Sequence, residues 1–119
     1  MKTHKDLDVW NISIRFVTEI YSNTMKFPKS QRYGLSSQLE RAACSIPYNI
    51  AEGYAREGNR EKIRFLYFAL GSNTEVETQL IIARNLNLIQ DSTYQQLSEQ
   101  NEYIGRMLTK LIRYFKSKV

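Results

Sequence analysis

The last third of the chain carries an unbroken helical repeat. Apolar residues recur there at alternating spacings of three and four, with one asparagine among them. This spacing brings one residue per turn to the same face of an α-helix, whereas a β-strand needs a period of two. We therefore predict a helix that opens at the N-cap Asp91 and runs to the end of the chain. Its predicted core face consists of Tyr94, Leu97, Asn101, Ile104, Leu108, Leu111 and Phe115.

Three earlier segments have the same periodicity, and the alternation typical of strands is absent from the sequence. The first predicted helix covers about residues 6–24 and ends before Phe27-Pro28, because a residue before proline is pushed out of the α region. The second begins at the N-cap Ser30 and ends near Gly53, and the third covers about residues 59–87. The predicted core faces are Leu7, Trp10, Ile14, Val17 and Tyr21 in the first helix, Leu35, Leu39, Ala42, Ala43, Ile46 and Ile50 in the second, and Ile63, Leu66, Leu70, Val76, Leu80 and Ala83 in the third.

Four such helices joined by short loops predict one all-α domain that spans residues 1–119. The expected architecture is an antiparallel up-down-up-down four-helix bundle. Pro47 lies inside the second helix, where it removes one backbone hydrogen bond, so we expect a kink there. The kink either marks a functional site or serves only to wrap the helix around the bundle.

The second and third helices carry polar groups where a core needs apolar ones. Arg41, Asn49, Glu52 and Glu75 are predicted to form a partly buried structural cluster, because a buried charge is tolerated only when it is paired. The small pair Gly71-Ser72 is expected to let another helix approach closely.

The chain lacks the residues that several functions need. It has one cysteine, Cys44, and one histidine, His4. These are too few for a zinc site or for a Ser-His or Cys-His catalytic pair. We therefore expect no catalytic residues, no metal and no cofactor. The sequence has no apolar run of about 18 residues and no signal-peptide pattern at its N-terminus, so we expect a cytoplasmic protein that does not bind membranes.

Two motifs carry a family resemblance. FPKSQRYGLSSQLERAACSIPYNIAEGYAR at 27–56 and RFLYFALGSNTEVETQL at 64–80 resemble the 23S rRNA intervening-sequence proteins, also called S23-type proteins. The same bundle occurs in the accessory variability determinant proteins of diversity-generating retroelements. The resemblance implies a four-helix bundle, a ring-shaped homo-oligomer with five subunits and an association with RNA. It implies no enzymatic activity.

The net charge is +5, and no acid follows Glu102. If the protein binds nucleic acid, we expect the contacts on the basic last helix, on a basic group near the start of the third helix, and on aromatic rings that stack on bases. In the last helix, Arg106, Lys110 and Arg113 are spaced by four and three, so they should form one stripe turned away from its core face. Cations near a helix C-terminus also complement its dipole, so the basic residues have a purely structural explanation as well. The candidate rings are Tyr54, Tyr67 and Phe68. The candidate nucleic-acid-binding residues are Arg106, Lys110, Arg113, Lys116, Lys118, Arg56, Arg60 and Arg64.

The sequence leaves two main functions open. One is an RNA- or DNA-binding accessory protein, and the other is a scaffold ring that binds another protein without touching nucleic acid. An enzyme is the third and least favoured, because no acid-base or nucleophile set is present. In both main cases we expect a homo-oligomer that associates through apolar residues outside the predicted core faces. These residues are Phe16, Ile20, Tyr67 and Phe68.

Overall fold

The computed structural model describes residues 3–119, and within this range it consists of helices without any strand. The four-helix prediction is confirmed. The four α-helices are α1 (Asp8–Thr24), α2 (Leu35–Tyr54), α3 (Asn59–Asn85) and α4 (Asp91–Lys116), and short 3-10 helices at His4–Asp6 and Lys29–Gln31 precede α1 and α2. The described chain measures 46 × 23 × 20 Å, as expected when long helices lie side by side.

Contacts between successive helices pair increasing positions on one helix with decreasing positions on the next. The pairs are Tyr21 with Cys44 and Thr24 with Glu40 between α1 and α2, Arg41 with Glu75 and Ser45 with Ser72 between α2 and α3, and Asn73 with Asn101 and Tyr67 with Lys116 between α3 and α4. Successive helices therefore run in opposite directions. As a result, the α2–α3 loop and the C-terminus of α4 lie at the same end of the molecule.

The core face of α1 differs from the predicted one. Phe16 and Ile20, which we expected outside the core, are buried, whereas Ile14 and Tyr21 of the predicted stripe are about 40% exposed. The reason is that the buried stripe includes the polar residues Ser13 and Thr24, so hydrophobic periodicity alone did not identify it. Their hydroxyl groups have hydrogen-bond partners, because Ser13 donates to a carbonyl of its own helix and Thr24 donates to the Glu40 carboxylate of α2 at 2.6 Å. The buried residues of α1 are Val9, Ser13, Phe16, Ile20 and Thr24.

The core face of α4 agrees closely with the prediction. Asn101 is buried with the apolar residues of the repeat, and the one clear shift is at the C-terminal end, where Ile112 is buried and Leu111 is only partly buried. The buried residues of α4 are Leu97, Asn101, Ile104, Leu108, Ile112 and Phe115.

The predicted start of α2 needs correction, whereas its end at Tyr54 lies one residue from the predicted position. Ser30 belongs to a 3-10 helix, and α2 begins only at Leu35. Gly53 does not end the helix. It lies buried inside α2, where an added Cβ would come within 2.9 Å of the Phe65 Cβ, so its role is to let α3 approach. Pro47 is buried within the continuous helix, and the kink at this position stays a prediction.

The close approach expected at Gly71 is not observed. Gly71 is exposed, and a Cβ built on it has nothing within 4 Å. The second closely packed glycine is Gly105 of α4, whose Cβ would lie 2.6 Å from Asn73 Oδ1. Ser72, the other member of the predicted pair, does contact α2, because its hydroxyl lies 2.8 Å from the Ser45 hydroxyl.

Two turns set the relative positions of α2, α3 and α4. Gly58 precedes α3 with φ of 76°, a conformation that glycine adopts without strain. After α3, Asn87 takes the left-handed conformation with φ of 60°. Its amide donates to Arg84 O and the Leu88 amide donates to Ala83 O, both at 2.9 Å. This pair of hydrogen bonds is a Schellman motif, and it stops α3 two residues before the predicted end.

Candidate nucleic-acid interface

The two predicted basic groups lie at the same end of the bundle. Lys118 and Arg60 line a common cleft of about 330 Å³ between the α2–α3 loop and the end of α4. At the last residue of α4, two positions before Lys118, Lys116 Nζ lies 5.2 Å from the centre of the Tyr67 ring on α3. The antiparallel order of α3 and α4 thus joins residues that are about fifty positions apart in the sequence.

Arg106, Lys110 and Arg113 form the predicted stripe along α4. All three are exposed, and all three line one groove of about 600 Å³ between α3 and α4. Within residues 3–119, none of them forms a salt bridge. Two acids, Glu77 and Glu102, line the same groove. The stripe therefore presents three positive charges to solvent beside a partly acidic groove.

The basic group near the start of α3 is partly neutralised. Arg56 pairs with Glu52 at 3.0 Å, and Arg64 pairs with Glu61 at 3.4 Å. The four side chains are about half exposed, so each pair is weak and leaves the arginines accessible. Arg60 is exposed and makes no salt bridge in the described part of the chain.

Lys62, which lies in the same basic segment, has a structural role. Its ammonium group donates to the carbonyl oxygens of Tyr54, at 3.4 Å, and of Arg56. Tyr54 is the last residue of α2 and Arg56 lies two residues beyond it, so a cation is favourable here because the helix dipole is negative at this end. Lys62 therefore caps α2, and we do not count it among the candidate binding residues.

Exposed aromatic rings accompany the arginines and lysines at this end. Tyr67 and Phe68 are each 45% exposed. The guanidinium carbon of Arg64 lies 5.2 Å from the centre of the Phe68 ring, and Lys116 lies over Tyr67. Both distances are within the range of cation–π contacts. The sequence reasoning missed a further pair, in which Lys118 Nζ lies 5.2 Å from the Tyr114 ring centre.

Tyr54, the third candidate ring, packs inside the protein. Its ring meets Phe115 edge to face, with 5.7 Å between the centres. Its hydroxyl is buried and has no hydrogen-bond partner. Burial, together with nearby Tyr114, raises the pKa of Tyr54 to about 12. The ring is therefore a packing element and is not available to stack on a base.

The predicted structural cluster separates into three independent groups. Arg41 pairs with Glu75 at the surface, where their side chains are 55% and 39% exposed, so Arg41 is more exposed than the partly buried cluster that we expected. Asn49 donates to the carbonyl and the hydroxyl of Ser45, at 2.8 and 2.9 Å. Glu52 lies on the surface with Arg56 and does not join either group. The physical reason is their spacing along α2, because Arg41 lies eight residues, or about 12 Å, before Asn49, so these side chains share a face of the helix without meeting.

The described residues contain no group of three or more His, Cys, Asp or Glu side chains that could hold a metal ion. Cys44 Sγ lies 3.8 Å from the Tyr21 hydroxyl. This contact is the largest cause of a rise in the pKa of Tyr21 to about 12. Across positions 3–119, no helix combines the length and hydropathy needed to cross a bilayer.

Comparisons with known proteins support one assignment. The family model described as 23S rRNA-intervening sequence protein matches residues 5–110. A crystal structure from Bacteroides thetaiotaomicron, of a protein with unknown function from the S23 ribosomal protein family, superposes with a TM-score of 0.82. It is 24% identical in sequence, and the alignment covers 88% of this chain and 95% of the other, so the likeness concerns the fold. A search of curated proteins gives no match. Because the family model covers most of the described bundle, the chain belongs to the 23S rRNA-intervening sequence protein family.

Proposed function

We propose that this protein is a non-enzymatic, oligomeric accessory protein that binds nucleic acid, RNA in the first instance, through the basic end of its bundle. The observation that carries this proposal is the exposed stripe of Arg106, Lys110 and Arg113, which makes no salt bridge within residues 3–119. Unpaired surface cations are the groups that bind phosphates and release counterions. Lys116 and Lys118 extend the stripe toward the cleft shared with Arg60.

The family assignment supports RNA as the ligand to test first. The family description refers to intervening sequences of 23S rRNA, and this is the context in which we propose that the chain acts. Contacts to phosphates position a protein without reading sequence, so we propose binding that depends little on base sequence. A cytoplasmic location is part of the same proposal.

Exposed apolar side chains support self-association. Ile14, Tyr21 and Tyr48 are exposed on α1 and α2, and Tyr48 is close enough to Tyr21 to contribute to the rise in its pKa. Ile82 of α3 and Leu86, the residue that follows this helix, form a second exposed pair. Two different apolar surfaces on one subunit fit a ring, because a cyclic oligomer repeats a heterologous contact. We propose a pentamer, in which the basic stripes of five subunits add by avidity.

The same apolar surfaces favour the second candidate function, a scaffold ring that binds another protein. In that case the apolar residues on α1 and α2 contact the partner, and the cations on α4 serve solubility and the helix dipole. This function predicts complexes whose affinity depends little on salt.

A salt titration tests the proposed function against this alternative. The probe is a fluorescent 20-nucleotide RNA, measured by anisotropy between 50 and 200 mM salt. If five α4 cations contact phosphates, log Kd against log salt has a slope near 3.5 per subunit, and affinity falls about a hundredfold over this range. Absence of binding at 50 mM salt by a folded, oligomeric protein contradicts the proposal and favours the scaffold.

A further inference from the structure

The outward face of the first half of α3 combines arginines with exposed aromatic rings. Neither core packing nor an ordinary charged surface explains this combination. Arg60, Arg64 and Tyr67 follow one another at spacings of four and three, so they lie along one face, with Phe68 beside them. All four residues are exposed. Lys116 reaches this face from α4. We call these five residues, Arg60, Arg64, Tyr67, Phe68 and Lys116, the α3 platform.

Each aromatic ring of the platform has a cation beside it, although Arg64 also contacts the Phe65 ring and pairs with Glu61. Arg64 lies 5.2 Å from the Phe68 ring centre, and Lys116 lies 5.2 Å from the Tyr67 ring centre. Even with these neighbours, both rings keep 45% of their surface exposed. The platform thus offers ring surface for stacking and positive charge for a phosphate within the reach of one nucleotide.

The surface beyond the two rings is open. Gly71 is one turn further along α3 from both Tyr67 and Phe68, and a Cβ built on it meets nothing within 4 Å. Side chains of a helix lean toward its N-terminus, so a side chain at this position would point toward the two rings. Its absence leaves room for a planar group to lie on them.

We propose that the α3 platform stacks unpaired bases of single-stranded nucleic acid while its cations hold the flanking phosphates. This inference rests on the proposed function and specifies the class of nucleic acid that the site takes. Proteins that bind single strands combine basic grooves with exposed rings in this way, and the stacking tolerates any base. A duplex keeps its bases stacked inside, so it gains nothing from the rings. Arginine, tyrosine and phenylalanine are also common at protein interfaces, where lysine is depleted, so the feature that favours nucleic acid over a protein partner is Lys116 beside the exposed Tyr67 ring.

The test compares single-strand and duplex binding by the full-length protein and its variants. The probes are a fluorescent 15-nucleotide oligo(A) RNA, its DNA counterpart and a 15-base-pair RNA duplex. The variants are Tyr67→Leu, Phe68→Leu and the double change, which keep the surface apolar but remove the rings. Tyr33→Leu is the matched control, since Tyr33 is 90% exposed, lies 5.9 Å from the Arg32 guanidinium carbon and precedes α2 at the opposite end of the bundle.

We expect each single variant to bind both single strands about tenfold more weakly, and the double variant about a hundredfold more weakly. The salt dependence and the duplex affinity should not change, and the control should bind like the parent. Unchanged single-strand affinity in the double variant, while the parent binds RNA in a salt-dependent way, would overturn this inference and leave the proposed function intact. A parent that binds none of the probes would overturn both.

Two further measurements keep the test decisive. Light scattering of the double variant should give the oligomer size of the parent, and a smaller species would overturn the inference by showing that the platform is a contact between copies. Cross-linking of the unmodified protein to an RNA that contains 4-thiouridine should attach the label to the peptide with Tyr67 and Phe68. A label found only on other surfaces also overturns the inference.

Discussion

Asn73 of α3 and Asn101 of α4 each donate a side-chain hydrogen bond to the backbone carbonyl of the other, at 2.7 and 2.9 Å. A third bond, from Asn73 Nδ2 to Asn101 Oδ1, measures 2.8 Å. Both residues are buried, so a sliding of α3 along α4 would leave these polar groups without partners. The pair therefore fixes the register that brings Lys116 beside Tyr67 at the basic end.

Asn101→Leu should destabilise the protein by about 1–3 kcal/mol, because it removes two of the three hydrogen bonds, those to Asn101 Oδ1 and from Asn101 Nδ2, and leaves Asn73 only the backbone carbonyl of residue 101. The double change Asn73→Leu, Asn101→Leu should lower the free energy of unfolding by less than the sum of the two single losses, since it removes both polar side chains. Denaturant titrations measure both. A loss below about 0.5 kcal/mol for Asn101→Leu would mean that the pair does not hold the register.

Gly105→Ala and Gly71→Ala should have opposite effects, although both glycines lie inside helices. At Gly105 the new Cβ would be 2.6 Å from Asn73 Oδ1, and the asparagine cannot move without breaking its hydrogen bonds, so we expect a loss of about 1–2 kcal/mol. At Gly71 the space is open, and we expect a gain of up to about 1 kcal/mol from helix propensity. Equal effects in thermal unfolding would contradict the packing described for Gly105.

Arg41→Ala should cost only about 0.5 kcal/mol, because Arg41 and Glu75 are both substantially exposed. A double-mutant cycle with Glu75→Ala isolates the pair, and its coupling energy should be of the same size. A loss of about 3 kcal/mol would instead indicate a desolvated ion pair, as the sequence alone led us to expect.

Tyr54→Phe should leave stability at pH 7 within about 1 kcal/mol of the parent, since it removes a buried hydroxyl without a hydrogen-bond partner. The pKa of Tyr54 is raised from about 10 to about 12 by burial. Its contribution to folding is therefore present below pH 10 and is lost as the pH rises toward 12, because the unfolded chain ionises first. The parent should lose stability relative to Tyr54→Phe between pH 10 and 12, with Tyr33→Phe as control. A constant difference across this range would contradict the burial of the hydroxyl.

The sequence predicted the helices better than their orientations. In α4 the spacing of the apolar residues indicates a single core face. Even the polar Asn101 could be assigned to the core by its position in this repeat. In α1, two stripes have helical spacing, and the apolar one that ends at Tyr21 looked more convincing than the true one, which includes Ser13 and Thr24. The choice depends on hydrogen bonds such as that from Thr24 to Glu40, a partner on another helix that periodicity does not reveal.

The candidate site was predictable in composition but only partly in arrangement. The lack of acids after Glu102 identified the cations of α4, and the spacing of Arg106, Lys110 and Arg113 correctly predicted a shared face. The sequence did not reveal that Lys116 lies over Tyr67, because that contact depends on the register of α3 and α4. Nor did it reveal that Gly53 serves helix packing, since a glycine near a helix end is commonly a C-cap.

The central claim is that the α4 stripe binds RNA, and charge reversal tests it most directly. The variant Arg106→Glu, Lys110→Glu, Arg113→Glu is compared with a matched control, Lys26→Glu, Lys29→Glu, Arg32→Glu, which changes three exposed cations at the opposite end by the same total charge. Both must keep the parent's helicity and oligomer size. RNA affinity at 50 mM salt should fall at least a hundredfold for the stripe variant, with a smaller salt slope, and only slightly for the control. Equal affinities for the two variants would contradict the claim.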